Sequence, residues 1–96
     1  GVLESGVKAG GSNFGTWVDL AGFYTGPPST TIFYGTGLPG YKVNSGTSFS
    51  SPQVAAAAAL VRGVAPQASA SAVRGWLKPA GSSSDWSGEW SLPPTA

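Results

Sequence analysis

The stretch Asn44-Ser45-Gly46-Thr47-Ser48-Phe49-Ser50-Ser51-Pro52-Gln53-Val54 is where this 96-residue chain could do chemistry. It delivers a serine hydroxyl, Ser48, to the mouth of a long apolar run. Gly46 permits a tight backbone and close approach of a substrate. The N-terminus of a helix offers unpaired N–H groups and a partial positive charge. Such donors suit the oxyanion of a tetrahedral intermediate, and the Ser48 N–H is the natural candidate. A rigid helix beneath would hold the hydroxyl in place. The chemistry that fits is acyl transfer with Ser48 as nucleophile. Serine and threonine are also favoured helix N-caps, so Gly46-Thr47-Ser48 taken alone fits an ordinary helix start better than a catalytic one.

The element that must position Ser48 is a helix predicted from about residue 48 to 62. Between Val54 and Val61 there is no polar side chain, and alanine is the best helix former. Pro52 is expected near the first turn, where a missing N–H is tolerated. Gly63 and Pro66 close the run. A helix apolar on all sides predicts burial, and the remaining elements are too few to cover it. Roughly two thirds of a parent domain is therefore expected upstream, with residues 1–80 its C-terminal part. A second helix, Ser69 to Lys78, is capped by Ser69. Val73, Trp76 and Leu77 form one stripe, while Arg74 and Lys78 face outward. Gly75 costs that helix about 1 kcal/mol. Short strands are predicted at Trp17–Ala21, Thr31–Tyr34 and Tyr41–Asn44. Residues 1–16, 22–30 and 35–40 read as loop. The Ser/Pro-rich residues 81–96 read as a tail or the start of a linker. Its Trp86 and Trp90 suit packing back onto the domain better than a carbohydrate-type platform.

Composition limits the alternatives. Charged residues are only 9% of the chain, against about 25% in ordinary globular domains. With 15 Gly and 8 Pro, the chain resembles interior plus loops, and so part of a larger body. A secreted protein with a Ser/Gly/Thr surface is the other reading. The net charge of +1 gives no sign of a nucleic-acid or acidic partner. Lys8, Lys42, Arg62, Arg74 and Lys78 are scattered, as solvated positions would be. The absence of Cys excludes a disulfide scaffold and thiol chemistry. No segment reaches the roughly 18 apolar residues of a membrane helix. No charged-then-apolar leader pattern opens the chain; Gly1-Val2-Leu3 reads like the tail of a strand already under way.

Ser45-Gly46-Thr47-Ser48, then Pro52, then Val54 and the alanines to Leu60 resemble the nucleophile motif of the subtilisin-like serine proteases, the subtilases. Ser12-Asn13-Phe14-Gly15 and Trp17-Val18-Asp19-Leu20-Ala21 are similar to the segment that precedes it. Pro66, Val73-Arg74 and Leu77 are similar to the family's next helix. The resemblance spans residues 12–78, in family order. Four positions depart from it. Phe49 stands where methionine is common, on the leaving-group side of the cleft. Gln53 stands where histidine is common, and that position is not in the triad. Ala56 replaces a helix glycine. Ala21-Gly22-Phe23-Tyr24 replaces Ala-Pro-Gly, so that loop should take another shape.

The resemblance implies an α/β fold, a mostly parallel sheet with helices on both faces. It implies a serine endopeptidase acting on polypeptide through an acyl-enzyme, with substrate contacts from Asn44, Ser45, Gly46, Thr47 and Phe49. For Asn44 a turn or strand-end role is equally compatible. Subtilases order their triad Asp, His, Ser, and this chain has no His. Both partners of Ser48 are thus expected in an upstream part of the same catalytic domain, and the 96 residues alone should be inert. Asp19 matches the strand segment rather than the triad aspartate. Asn13 matches a turn better than the oxyanion asparagine. No cofactor is evident, although the resemblance leaves room for calcium upstream, and it implies secretion. Two alternatives stand. One is a sedolisin-type acid protease, which needs an Asp-based calcium site where only Asp85 and Glu89 follow the helices. The other is a non-catalytic, protease-like binding or structural module.

Overall fold

The apolar run does form a helix. In the computed structural model, which describes residues 1–26 and 28–80, α1 covers Thr47–Val64. It begins one residue before the predicted start and ends two after the predicted stop. Pro52 falls in its second turn rather than its first. The ring nitrogen cannot donate, so the Ser48 carbonyl, four residues earlier, lacks the usual helical partner. After Ala65 and the turn at Pro66, α2 covers Ala70–Ala80. Its start is capped as expected: Ser69 Oγ accepts the Ala72 N–H at 3.1 Å.

Two strands precede the helices. β1 (Ser29–Ile32) and β2 (Pro39–Lys42) form an antiparallel hairpin, with Ser29 opposite Lys42 and Ile32 opposite Pro39. Both lie two residues earlier than their patterns predict. The loop explains the shift. Phe33 closes it, donating its N–H to the Leu38 carbonyl at 3.0 Å and accepting from the Gly37 N–H at 2.7 Å. That turn consumes the end of the β-branched run. Gly37 takes the positive φ of 67° that the turn requires. Pro39 sits at the first position of its strand, where its missing donor costs least.

The strand predicted at Trp17–Ala21 is absent, and the segment is irregular. The Val18 N–H turns back to the Gly15 carbonyl at 3.2 Å. No described strand lies alongside to satisfy an extended backbone. The chain is thus a mixed α/β arrangement. Among the described residues the parallel element is a single bridge, Val2 with Phe23.

Residues 1–26 wrap round the first turns of α1. Val2, Ala9 and Val73 form the small buried core, with Ser12 and Ser50 as its buried polar members. Each of those serines is satisfied. Ser12 Oγ donates to the Asn13 carbonyl at 2.9 Å, and Ser50 Oγ donates to the Phe23 carbonyl at 3.0 Å. Lys8 is half-buried rather than simply solvated. Its Nζ donates to the Ala9 and Ser12 carbonyls and lies 5.3 Å from the Phe14 ring centre. The Gly22 backbone presses against α1, because a Cβ there would stand 2.5 Å from the Ser50 carbonyl oxygen.

Burial of α1, which its composition predicts, is not met by the described residues. Ser50 is its one buried member, while Leu60 is 78% exposed and Val64 89% exposed. Beside it lies an open groove of about 640 Å³, lined by Trp17, Leu20, Val54, Ala58, Val73 and Leu77 among others. The second helix contributes to the same apolar face, and the described chain does not fill it. The predicted tail, with Trp86 and Trp90, lies outside the described residues, as do Asp85 and Glu89.

Candidate active site

Ser48 is the second residue of α1 and is exposed. The chain reaches it along a short antiparallel ladder. The Gly26 N–H donates to the Asn44 carbonyl at 3.1 Å, and the Gly46 N–H donates to the Tyr24 carbonyl at 2.8 Å. Thr25 and Ser45 pair between them, their hydroxyls 3.3 Å apart. At Gly46 the backbone then turns sharply into the helix, with φ 142° and ψ 160°. That region is open essentially to glycine alone. The sequence pattern located this turn, and its geometry explains the residue.

No side chain among the described residues caps the helix. Among the described residues neither the Thr47 N–H nor the Ser48 N–H meets an acceptor, and the Ser48 hydroxyl makes no hydrogen bond. The first turn carries no acidic side chain either. The positive end of the helix is therefore open towards the space in front of Ser48. This arrangement can stabilise an anion beside the hydroxyl, which is what an acyl-transfer nucleophile needs. The chain contains no His that could serve as its base.

The predicted site residues come together around this turn. Ser45, Gly46, Thr47 and Ser48 are consecutive along its outer edge. Asn44 sits at the end of the ladder, half-buried, with its carbonyl engaged. Phe49 is half-buried and packs over Gly26, where an added Cβ would lie 3.0 Å from the Phe49 Cβ. The apolar groove adjoins this turn: Thr47, Ser50 and Ser51 line it, while Ser48 does not.

Asp19 is occupied elsewhere. Arg74 Nε meets its Oδ2 at 2.7 Å, and Lys78 Nζ meets its Oδ1 at 3.1 Å. The hydrogen bonds from Arg74 and then Lys78 hold the carboxyl below the usual carboxylate range. An anion so engaged is a poor proton acceptor, and its position ties the 17–20 segment to α2. Two residues were missed from sequence. Ser50 and Gln53 both reach back across the chain to the backbone of Phe23. The sequence offered no clear signal for them, since both lie in the polar stretch that precedes the apolar run. Among the described residues no group of three His, Cys, Asp or Glu is placed to hold a metal ion.

Comparisons with known proteins give the family. The family model described as the subtilase family matches residues 5–85, which is most of the chain. This protein belongs to the subtilase family. A protein named extracellular protease, from Xanthomonas campestris pv. campestris, is 44% identical to it over 71 residues, which is 68% of this chain. The match spans 12% of that relative's length. No solved structure matches the chain significantly.

Proposed function

We propose that this chain carries the nucleophile of a secreted serine endopeptidase, with Ser48 as the attacking residue. The observation that carries the reading is the turn at Gly46. It leaves the Ser48 hydroxyl exposed and, among the described residues, the Thr47 and Ser48 amides without partners at the end of a helix. In the reaction the Ser48 hydroxyl oxygen attacks the scissile carbonyl. A base outside this chain takes the proton, and the Ser48 N–H stabilises the oxyanion. Collapse of the intermediate expels the amine and leaves an acyl-enzyme, which water hydrolyses. Asn44, Ser45, Gly46, Thr47 and Phe49 line the approach to the substrate.

The base and its orienting aspartate come from an upstream part of the same catalytic domain. That part supplies most of a parallel sheet and packs on the exposed apolar side of α1 and the adjoining groove. The large uncovered faces of Leu60 and Val64 support this: a helix of that composition is stable in water only when covered. The 96 residues by themselves are inert, because without a base the hydroxyl is a weak nucleophile. Secretion is supported by the name of the Xanthomonas relative.

The test is active-site labelling. The full-length protein should react with a fluorophosphonate at Ser48 and lose that reaction on Ser48→Ala. A folded full-length protein that stays unlabelled while cleaving peptide would overturn the assignment of Ser48. One that neither labels nor cleaves would favour a binding module.

A further inference from the structure

Gln53 does more than fill a helix position. A carboxamide offers one acceptor oxygen and two N–H donors, and all three are used here. Oε1 accepts the Phe23 N–H at 3.0 Å, while Nε2 donates to the Phe23 carbonyl at 3.0 Å and to the Phe49 carbonyl at 2.8 Å. One side chain therefore reads both backbone groups of a residue 30 positions away, much as a neighbouring strand would. Ser50 Oγ adds a second donor to the same Phe23 carbonyl at 3.0 Å.

The consequence lies in what flanks Ser48. Before it, the Gly46 N–H is held by the Tyr24 carbonyl at 2.8 Å. After it, Phe49 is joined through the Gln53 carboxamide to Phe23. Residues 23 and 24 thus grip the turn on both sides of the nucleophile. Gly22 makes the grip close, because its missing Cβ lets the segment touch the Ser50 carbonyl. No N-cap side chain does this job, so the register of the turn rests on these backbone-reading contacts.

We propose that Gln53 is a positioning residue for Ser48, acting through the backbone of Phe23 and Phe49. The inference rests on the reading of Ser48 as nucleophile. The requirement is for a carboxamide of this length. Glutamate keeps the acceptor for the Phe23 N–H but sets a negative charge against two carbonyl oxygens. Methionine keeps the length and loses every hydrogen bond. Asparagine keeps the chemistry and falls one methylene short.

The experiment uses the full-length protein with Gln53→Met and Gln53→Glu, well below the unfolding temperature of each. Three quantities are measured: the rate of fluorophosphonate labelling at Ser48, kcat and KM for a peptide, and hydrogen exchange at the Phe23 and Gly46 amides. A shift of a fraction of an ångström at the nucleophile should lower labelling and kcat about tenfold while KM changes less than about twofold. Both amides should exchange about tenfold faster in Gln53→Met, and the Gly46 amide in Gln53→Glu, whose carboxylate still accepts the Phe23 N–H. Exchange unchanged in both variants overturns the clamp, whatever the labelling does. Faster exchange with labelling and kcat intact reduces Gln53 to a structural role and also overturns the proposal. Failure of the protease reading is seen separately, as wild-type protein inert to the probe. Should Gln53→Met fail to fold, Gln53→Glu retains the volume and one contact and decides the matter.

Discussion

Replacing Gly46 by alanine tests the turn on which the site depends. At φ 142° and ψ 160° the residue sits where an L side chain is strained, at a cost of order 1–3 kcal/mol. Steric collision adds nothing, because a Cβ there would find Phe49 Cδ2 at 3.8 Å and the Ser48 nitrogen at 4.0 Å. The backbone has another way out. It can rotate residue 46 to negative φ and surrender the Gly46 N–H to Tyr24 carbonyl bond of 2.8 Å. A hydrogen bond of that kind contributes about 0.5–1.5 kcal/mol net. At the middle of each range surrender costs less than strain, so the turn is expected to give way. Gly46→Ala should then lose only about 1 kcal/mol of stability while Ser48 moves. A displacement near 1 Å at a reacting atom costs about 100-fold in rate. The assay pairs urea unfolding of the full-length protein with its rate of fluorophosphonate labelling. Gly35→Ala serves as control, for Gly35 has open space around it and no positive φ. Labelling within twofold of wild type would refute the argument. A stability loss near 3 kcal/mol with labelling intact would show that the strained turn had been kept, and would refute the choice between the two routes.

Two further outcomes follow from the α2 side. Asp19 has its folded-state pKa depressed by Arg74 and Lys78. Its contribution to stability is therefore complete above the ordinary carboxylate value of about 3.9 and disappears as pH falls through the lower folded value. Asp19→Asn should flatten that acid limb of the stability–pH curve, and added salt should shrink the difference between the two proteins; identical curves would remove the ion cluster from the account. Ser69→Ala removes the hydroxyl that accepts the Ala72 N–H at 3.1 Å. It should cost about 1 kcal/mol in urea unfolding and leave Ser48 labelling unchanged.

Much of the site is legible in the residues. The alanine run from Val54 favours a helix strongly, because helix propensity and its hydrogen bonding are local. Gly46 marks a backbone that other residues cannot adopt. Ser48 follows it at the start of the helix, where a hydroxyl and unpaired amides coincide. The strands are less legible. Their type is visible in Thr31–Ile32 and in Tyr41–Lys42, but their register is displaced by two residues, because the turn closed by Phe33 decides it. The extended reading of Trp17–Ala21 fails for a related reason: a strand exists only beside a partner, and local pattern does not say whether one is present.

The sequence by itself therefore determined the two helices and the Ser69 cap, which are set by interactions within a few residues, and it marked Gly46 and Ser48 as the candidate site. Tertiary structure alone decided the roles of Asp19, Ser50 and Gln53. Asp19 reaches Arg74 across 55 positions and Gln53 reaches Phe23 across 30. Contacts of that separation depend on how the chain returns upon itself, which no local pattern records. The apolar faces of Leu60 and Val64 belong between the two cases. Composition calls for their burial, and the fold leaves them open, because a hydrophobic surface states its need for a partner without naming one.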